Sequence, residues 1–226
     1  VEVSGLLGVA PGVTAVIGGG GKTTLLRTLG EELARGGAAV VLCATAKFYP
    51  FAGLPNLQDP SAPELAAALK KDRLVCAGRE VPGTGGKLTA PGLPMEALAA
   101  LADYVLVEAD GSARRPLKAH APHEPVIPPE AGRVICVVGL AGLGRPIAEA
   151  AHRPERYAAL AGASLQDPVT PERAAAVLNG EALGDLYYVN QADTAEQRAQ
   201  ARALAALLQR PAAVGSLQKG VYEPCW

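Results

Sequence analysis

The sequence predicts an α/β protein, a mostly parallel sheet with helices on both faces. Three observations support this. Apolar runs alternate along the chain with segments of helical periodicity, and most runs lack polar alternation, as strands covered on both faces do. A glycine cluster, Gly18-Gly19-Gly20-Gly21, stands between the first run and the first helical segment. Apolar residues make up 49% of the 226 but aromatics only 4%, so the core must be built from Ala, Val, Leu and Ile, with helices and strands packed closely.

The elements follow in order. Val13 to Ile17 is a β-branched strand. Thr23 to Arg35 places Leu25, Leu26, Leu29 and Leu33 at helical spacing, and Gly36-Gly37 stops that helix. Ala38 to Ala44 is a strand buried on both faces. Pro63 to Lys70 is helical, Arg73 to Ala77 a short strand, and the Gly- and Pro-rich stretch Gly78 to Gly92 a hairpin or loop. A helix at Pro94 to Leu101 precedes strands at Tyr104 to Val107 and Arg133 to Val138. Helices follow at His152 to Ala161 and Pro171 to Leu178, the latter with proline at its first position. Leu186 to Val189 is a strand, Thr194 to Leu208 an Ala-rich helix, and Ala212 to Val214 closes the sheet. No repeat or linker divides the chain, so residues 1–226 read as one domain. A proline-rich loop from about 110 to 130 is expected to cover the site, because α/β folds bind ligands beyond the carboxyl ends of their strands.

Composition narrows the function classes. The 26 glycines and 19 prolines are about a fifth of the chain, short of the ~25–30% at which disordered chains begin. A net charge of −1 lacks the basic excess of a general nucleic-acid binder. No apolar run approaches the ~18 residues of a membrane span, and Val1 to Ser4 carries no basic stretch before an apolar one. Cys43, Cys76 and Cys136 lie in apolar runs, Cys225 stands near the end, and no C-x-x-C pair occurs. Free thiols of a reduced, cytoplasmic protein fit this pattern.

Four stretches carry chemistry. Gly18-Gly19-Gly20-Gly21-Lys22-Thr23-Thr24 follows a strand and opens a helix, the context a phosphate-binding loop needs. Glycines let successive N–H groups turn toward an anion, and the helix terminus adds partial positive charge. Lys22 would reach the β- and γ-phosphates, and the Thr23 hydroxyl would ligate Mg²⁺. The pattern departs from G-x-x-x-x-G-K-[ST] in one place: Val16 stands where the first glycine belongs. Further on, Glu108 and Asp110 end an apolar strand on the same side of an extended chain. One would hold the metal and the other position an attacking water or hydroxyl, with Asp110 preferred for the metal. Asn190-Gln191-Ala192-Asp193 resembles the N-K-x-D base-reading motif of GTP-binding proteins, where Asp accepts hydrogen bonds that only guanine offers. Capping of the next helix by Asp193 or Thr194 is the alternative. Finally, Arg114, Arg115, Lys118, His120 and His123 crowd into ten residues. They read as a cationic loop for an anionic second substrate or a γ-phosphate, with Arg114 or Arg115 as an internal arginine finger; a solvated surface is the alternative. Thr45 and Lys47, after the second strand, are placed like γ-phosphate or substrate sensors.

Together these residues resemble the selenium-dependent hydroxylase accessory proteins, the YqeC-like family. The matching stretches are the glycine loop, Thr45-Ala46-Lys47, Val107 to Ser112 with Arg115-Pro116-Leu117-Lys118, His123 to Pro128, His152 to Glu155, and Asn190 to Asp193. Glu108-Ala109-Asp110-Gly111-Ser112 with its following Arg-Pro-Leu-Lys is the most specific. The resemblance implies a P-loop NTPase related to the metallochaperone and signal-recognition GTPase branch. It also implies a Mg²⁺ and nucleoside triphosphate (GTP or ATP) requirement and a role in maturing molybdenum hydroxylases or their cofactor. Three activities are compatible with the residues: an NTPase assisting maturation, a small-molecule kinase or ligase, or a nucleotide-gated binding protein.

Overall fold

The structure is a computed structural model and describes residues 2–225. In chain order the elements are α1 (Val3–Leu6), β1 (Gly12–Gly18), α2 (Lys22–Arg35), β2 (Val40–Ala44), β3 (Asn56–Gln58), α3 (Ala62–Asp72), β4 (Leu74–Glu80), β5 (Leu88–Thr89), α4 (Met95–Leu101) and β6 (Tyr104–Glu108). They continue with β7 (Leu117–Lys118), β8 (Ala131–Gly139), α5 (Ile147–Ala150), β9 (Ala151–His152), α6 (Pro154–Ala161), α7 (Pro171–Glu181), β10 (Leu186–Asn190), α8 (Ala195–Ala205), β11 (Ala212–Ser216) and β12 (Val221–Pro224).

The main sheet runs β12-β11-β10-β8-β1-β6-β2-β4-β3, with β5 on β4. Pairing is parallel except at β11–β12 and β4–β5. β1 lies between β6 and β8, with Val16 opposite Glu108 on one side and Ile135 on the other. Its side chains alternate as a doubly covered strand requires. Val16 faces a cluster with α1 and α2, built on Leu25, Leu26, Leu29 and Leu42. Val13, Ala15 and Ile17 face the opposite side, covered by Leu65, Leu69 and Leu98 of α3 and α4 at one end and by residues of α6, α7 and α8 at the other. Helices thus cover both faces of the mostly parallel sheet.

Low aromatic content has the expected consequence at α2. A Cβ built on Gly30 would lie 2.9 Å from Leu74 Cδ1 and 3.2 Å from Leu42 Cδ2, so this helix rests almost directly on β2 and β4.

Several sequence boundaries move. Ala212–Ser216 does not end the sheet, because β12 returns antiparallel along its edge. The 78–92 stretch is a hairpin: β4 continues to Glu80 and pairs with β5. The helix expected from His152 begins at Pro154, because Ala151 and His152 pair with Leu117 and Lys118 as a second, two-stranded sheet. The Ala-rich helix stops at Ala205. Cys43, Cys76 and Cys136 are free and buried, and Cys225 is half-buried.

Candidate functional site

β1 runs straight through Val16 and Ile17, both buried in the core, and ends only at Gly18, where the loop takes over. This accounts for the missing first glycine: that position belongs to a packed strand. The loop then threads a crowded space. Gly20 has φ 82°, and a Cβ there would collide with the Gly139 backbone at the end of β8.

The backbone amides of the loop divide into two sets. Gly18 N–H donates to Asp110 Oδ2 at 2.9 Å and Gly19 N–H to Val137 O at 2.9 Å. The first amide of α2 to find an acceptor is Leu25, which donates to Gly21 O at 2.9 Å. Between them, the N–H groups of Gly20, Gly21, Lys22, Thr23 and Thr24 have no protein acceptor among the described residues. These five residues line a cleft of about 900 Å³ over the carboxyl ends of the strands. Its other walls are Lys47, Phe48, Tyr49 and Lys87 on one side, Gly111 to Arg114 with Pro116, and Ala141, Arg145 and Gln191 on the other side.

Lys22 is buried at the loop's base. Its ammonium donates to Gly18 O at 2.7 Å and lies 3.1 Å from Asp110 Oδ1 and 3.7 Å from Glu108 Oε1. The two carboxylates stand in different surroundings. Glu108 opens onto the cleft and accepts from Thr23 Oγ1 at 3.3 Å. Burial pushes its carboxyl up; Lys22 opposes this and the Asp110 charge adds to it, with a net rise. Asp110 faces inward, its side chain fully buried. His120 Nε2 at 2.8 Å and Lys118 Nζ at 3.1 Å join Gly18 N–H on its Oδ2. Burial pushes Asp110 up, but the hydrogen bond from His120, the charges of Lys22 and Lys118 and the Gly18 amide outweigh it and hold the carboxyl at about 2.

The structure turns Asp110 inward and Glu108 toward the cleft, against the expectation that Asp110 is the carboxylate that holds the metal. Asp110 Oδ2 is taken up by His120, Lys118 and the Gly18 amide, and its Oδ1, which accepts no hydrogen bond, faces the Lys22 ammonium inside the fold, whereas Glu108 and Thr23 share the cleft side. Period two in the sequence did not separate them because β6 ends at Glu108 and the chain turns inward after it.

The basic loop also divides. Lys118 and His120 are buried, not a substrate-facing patch. Lys118 Nζ donates to Gly111 O at 2.5 Å and to Glu124 Oε2 at 2.8 Å, and Arg153 Nε donates to Glu124 Oε1 at 2.6 Å. His120 bridges two carboxylates, with Nδ1 2.7 Å from Glu181 Oε2 and its backbone N–H donating to Glu181 Oε1. Burial disfavours the imidazolium, but the bonds to Asp110 and Glu181 prevail and raise its pKa. Arg115 donates to Glu149 O. Of the five, only Arg114 lines the cleft; His123 is exposed outside it. Only the first part of the 110–130 loop, Gly111 to Arg114 with Pro116, reaches the cleft wall. Thr45 Oγ1 is turned away, donating to Val126 O at 2.7 Å, while Lys47 faces the cleft.

Asn190 props the loop. Its Nδ2 donates to Gly20 O at 2.9 Å, and its Oδ1 accepts from Leu217 N–H at 3.1 Å. Asp193 Oδ1 accepts from Ser216 Oγ at 2.5 Å, outside the cleft lining. Thr194 caps α8, accepting from Gln197 N–H. Sequence reasoning missed Tyr49, Lys87 and Arg145 on the cleft wall and Glu181 in the buried network, and it held Glu124 and Arg153 only as parts of the stretches that carry the family resemblance. Lys87 stands in a Gly-rich stretch and Glu181 ends a helix, and neither position carries a motif.

By sheet order and loop placement this is an α/β protein organised around a strand, glycine loop and helix at its centre. The chain belongs to the YqeC family: the model for the family described as YqeC protein matches residues 14–155. It is 35% identical over 161 residues to the uncharacterized protein YqeC of Escherichia coli (strain K12), covering 67% of this chain and 61% of that protein. The chain thus spans less than two thirds of the length of the curated relative it matches. Among solved structures, the crystal structure of hydrogenase maturation factor HypB from Archaeoglobus fulgidus is similar over 93% of this chain and 83% of that one, at 11% identity and a TM-score of 0.41. Among the described residues, no helix is long and apolar enough to cross a membrane.

Proposed function

We propose that this chain is a Mg²⁺-dependent nucleoside-triphosphate-binding protein, an NTPase that assists the maturation of a molybdenum hydroxylase or its cofactor. One observation carries the nucleotide part: five amides without protein acceptors, from Gly20 to Thr24, line a large cleft around Lys22. Such amides, at a helix N-terminus beside a fixed ammonium, suit the oxygens of a polyphosphate. The accessory role rests on the family resemblance.

Mg²⁺ bound with a triphosphate takes hard oxygen ligands, usually one or two from the protein. The Thr23 hydroxyl and the Glu108 carboxylate, in contact with each other on the cleft side, fit that requirement; Asp110 does not. When bound, the ion would offset the charge of the phosphates. Asp110, for its part, fixes Lys22 and the Gly18 amide, and so holds the loop's shape. Arg114, exposed on the cleft wall, is the candidate for meeting charge that develops at the γ-phosphate. A guanine preference rests on the sequence match of Asn190-Gln191-Ala192-Asp193 to the base-reading motif alone, since Asn190 is engaged by the loop and Asp193 by Ser216, outside the cleft lining.

The test is titration calorimetry with GTP, ATP and CTP in Mg²⁺, alongside phosphate release. Wild-type protein should bind a triphosphate, and Lys22→Ala should lose at least about tenfold in affinity, the scale of one charge-assisted contact. Wild-type-like binding by the variant would remove the phosphate-loop role. GTP should outcompete ATP, and Asp193→Asn should erode that ranking. An equal ranking in the wild type ends the base-reading proposal alone.

A further inference from the structure

We infer that Lys47, Tyr49 and Lys87 form a second subsite in the cleft, for a small anionic ligand that carries a planar ring. The sheet order places this arm. The glycine loop stands at the end of β1, Asn190 ends β10 two strands to one side, and Lys47 follows β2 two strands to the other. At roughly 4.8 Å per strand, each arm is about 10 Å from the loop. A nucleotide running from the loop toward Asn190 leaves the Lys47 side of the cleft open. That orientation rests on the nucleotide reading above; the arm's own construction does not.

The arm is built by pairing rather than by chance proximity. Phe48 and Leu88 exchange both backbone hydrogen bonds, at 2.9 and 2.8 Å, as an antiparallel bridge. One step outward in that register, Tyr49 falls opposite Lys87, whose ammonium lies 5.1 Å from the centre of the Tyr49 ring. Phe48 is buried against Phe51 beneath them, with ring centres 6.2 Å apart. Tyr49 itself is 52% exposed, with its ring on the cleft wall.

The electrostatics favour an anion. Lys47 and Lys87 line the cleft, and every ion pair among the described residues leaves both of them out. The cations buried nearby, Lys22 and Lys118, are matched by Asp110, Glu108 and Glu124. Two uncompensated ammonium groups around an exposed ring therefore offer charge to a phosphate, sulfate or carboxylate and a flat face to its ring.

Pyridoxal 5′-phosphate is a suitable probe. It is a planar ring with one phosphate, and its aldehyde condenses with a lysine amine, with loss of water, to an imine that borohydride reduces and fixes. The full chain would be labelled with and without saturating non-hydrolysable GTP and Mg²⁺, and modification rates mapped by peptide mass spectrometry. Lys47 and Lys87 should react about tenfold faster than the exposed Lys70, Lys71 and Lys219, as expected for local enrichment of an anion. Pyridoxal, which lacks the phosphate, should lose this preference. Tyr49→Ala should lower it about fivefold, the scale of one aromatic contact, and Tyr49→Phe should not. Equal rates at all exposed lysines, or equal rates with pyridoxal, would overturn the subsite. So would protection of both lysines by the nucleotide, which would place them in the nucleotide's own site. If calorimetry finds no nucleotide binding while the lysine preference persists, the nucleotide reading fails and the subsite stands.

Discussion

Glu108 and Asp110 are two residues apart and chemically alike, yet the fold gives them opposite surroundings. Glu108 faces the cleft beside Thr23, while Asp110 is enclosed by Lys22, Lys118, His120 and the Gly18 amide. Removing one partner from a buried charged cluster leaves the others unmatched, at a cost of about 3–5 kcal/mol. Asp110→Asn should therefore lower the urea midpoint strongly, whereas Glu108→Gln should leave stability near wild type and weaken the Mg²⁺ dependence of nucleotide binding. Parallel denaturation and calorimetry separate the two; a stable Asp110→Asn that loses only Mg²⁺ dependence would restore the sequence-based preference.

The same network sets a pH window. Burial pushes Glu124 up, but Arg153, Lys118 and the Ala121 amide bring it to about 2. A carboxylate with a depressed folded pKa stabilises the fold above its unfolded value, ~4.3, and loses that contribution as pH falls through the folded value. His120 runs the other way. Its raised pKa gives a contribution complete below ~6.5 and lost as pH rises through the folded value. Urea midpoints should therefore peak between about pH 4.5 and 6.5, and His120→Gln should flatten the alkaline limb.

At the scale of elements, α2 is the part most exposed to small changes in volume. Replacing Gly30 by Ala gains about 1 kcal/mol in helix propensity. The new methyl, however, meets Leu74 and Leu42 at 2.9 and 3.2 Å, and overpacking costs about 1–3 kcal/mol. Because both contacts are leucine tips that can shift, the net should be a loss near 1 kcal/mol, read from urea curves. A stabilised variant would show that α2 has room to rise off the sheet. The strands and long helices were legible because their periodicity is local. The short pieces were not: β3, β5, β7 and β9 span two or three residues each, and such segments are ordered only by a distant partner.

For the whole molecule, the sheet order places the site. β1 sits between β6 and β8, which brings the glycine loop beside Glu108 and against Gly139 and Asn190. Hydrogen exchange should be slowest in β1, β6 and β8, and faster in the edge strands β3 and β12, since exchange follows burial and pairing. Fast exchange in β1 would mean that the loop rests on a locally unfolding strand.

The α/β alternation, the glycine loop with Lys22 and Thr23, the acidic strand end and the buried Cys43, Cys76 and Cys136 were all legible in the order of residues along the chain. Each of these is a property of neighbouring residues or of a strand and its immediate turn. Which carboxylate faces the cleft, the inward turn of Lys118 and His120, and the meeting of Tyr49 and Lys87 across a bridge emerge only once the chain is folded. Those outcomes depend on the partners that distant segments supply. His120 is buried because Glu181, 61 positions away, arrives to share its proton, and nothing in the residues around His120 announces that.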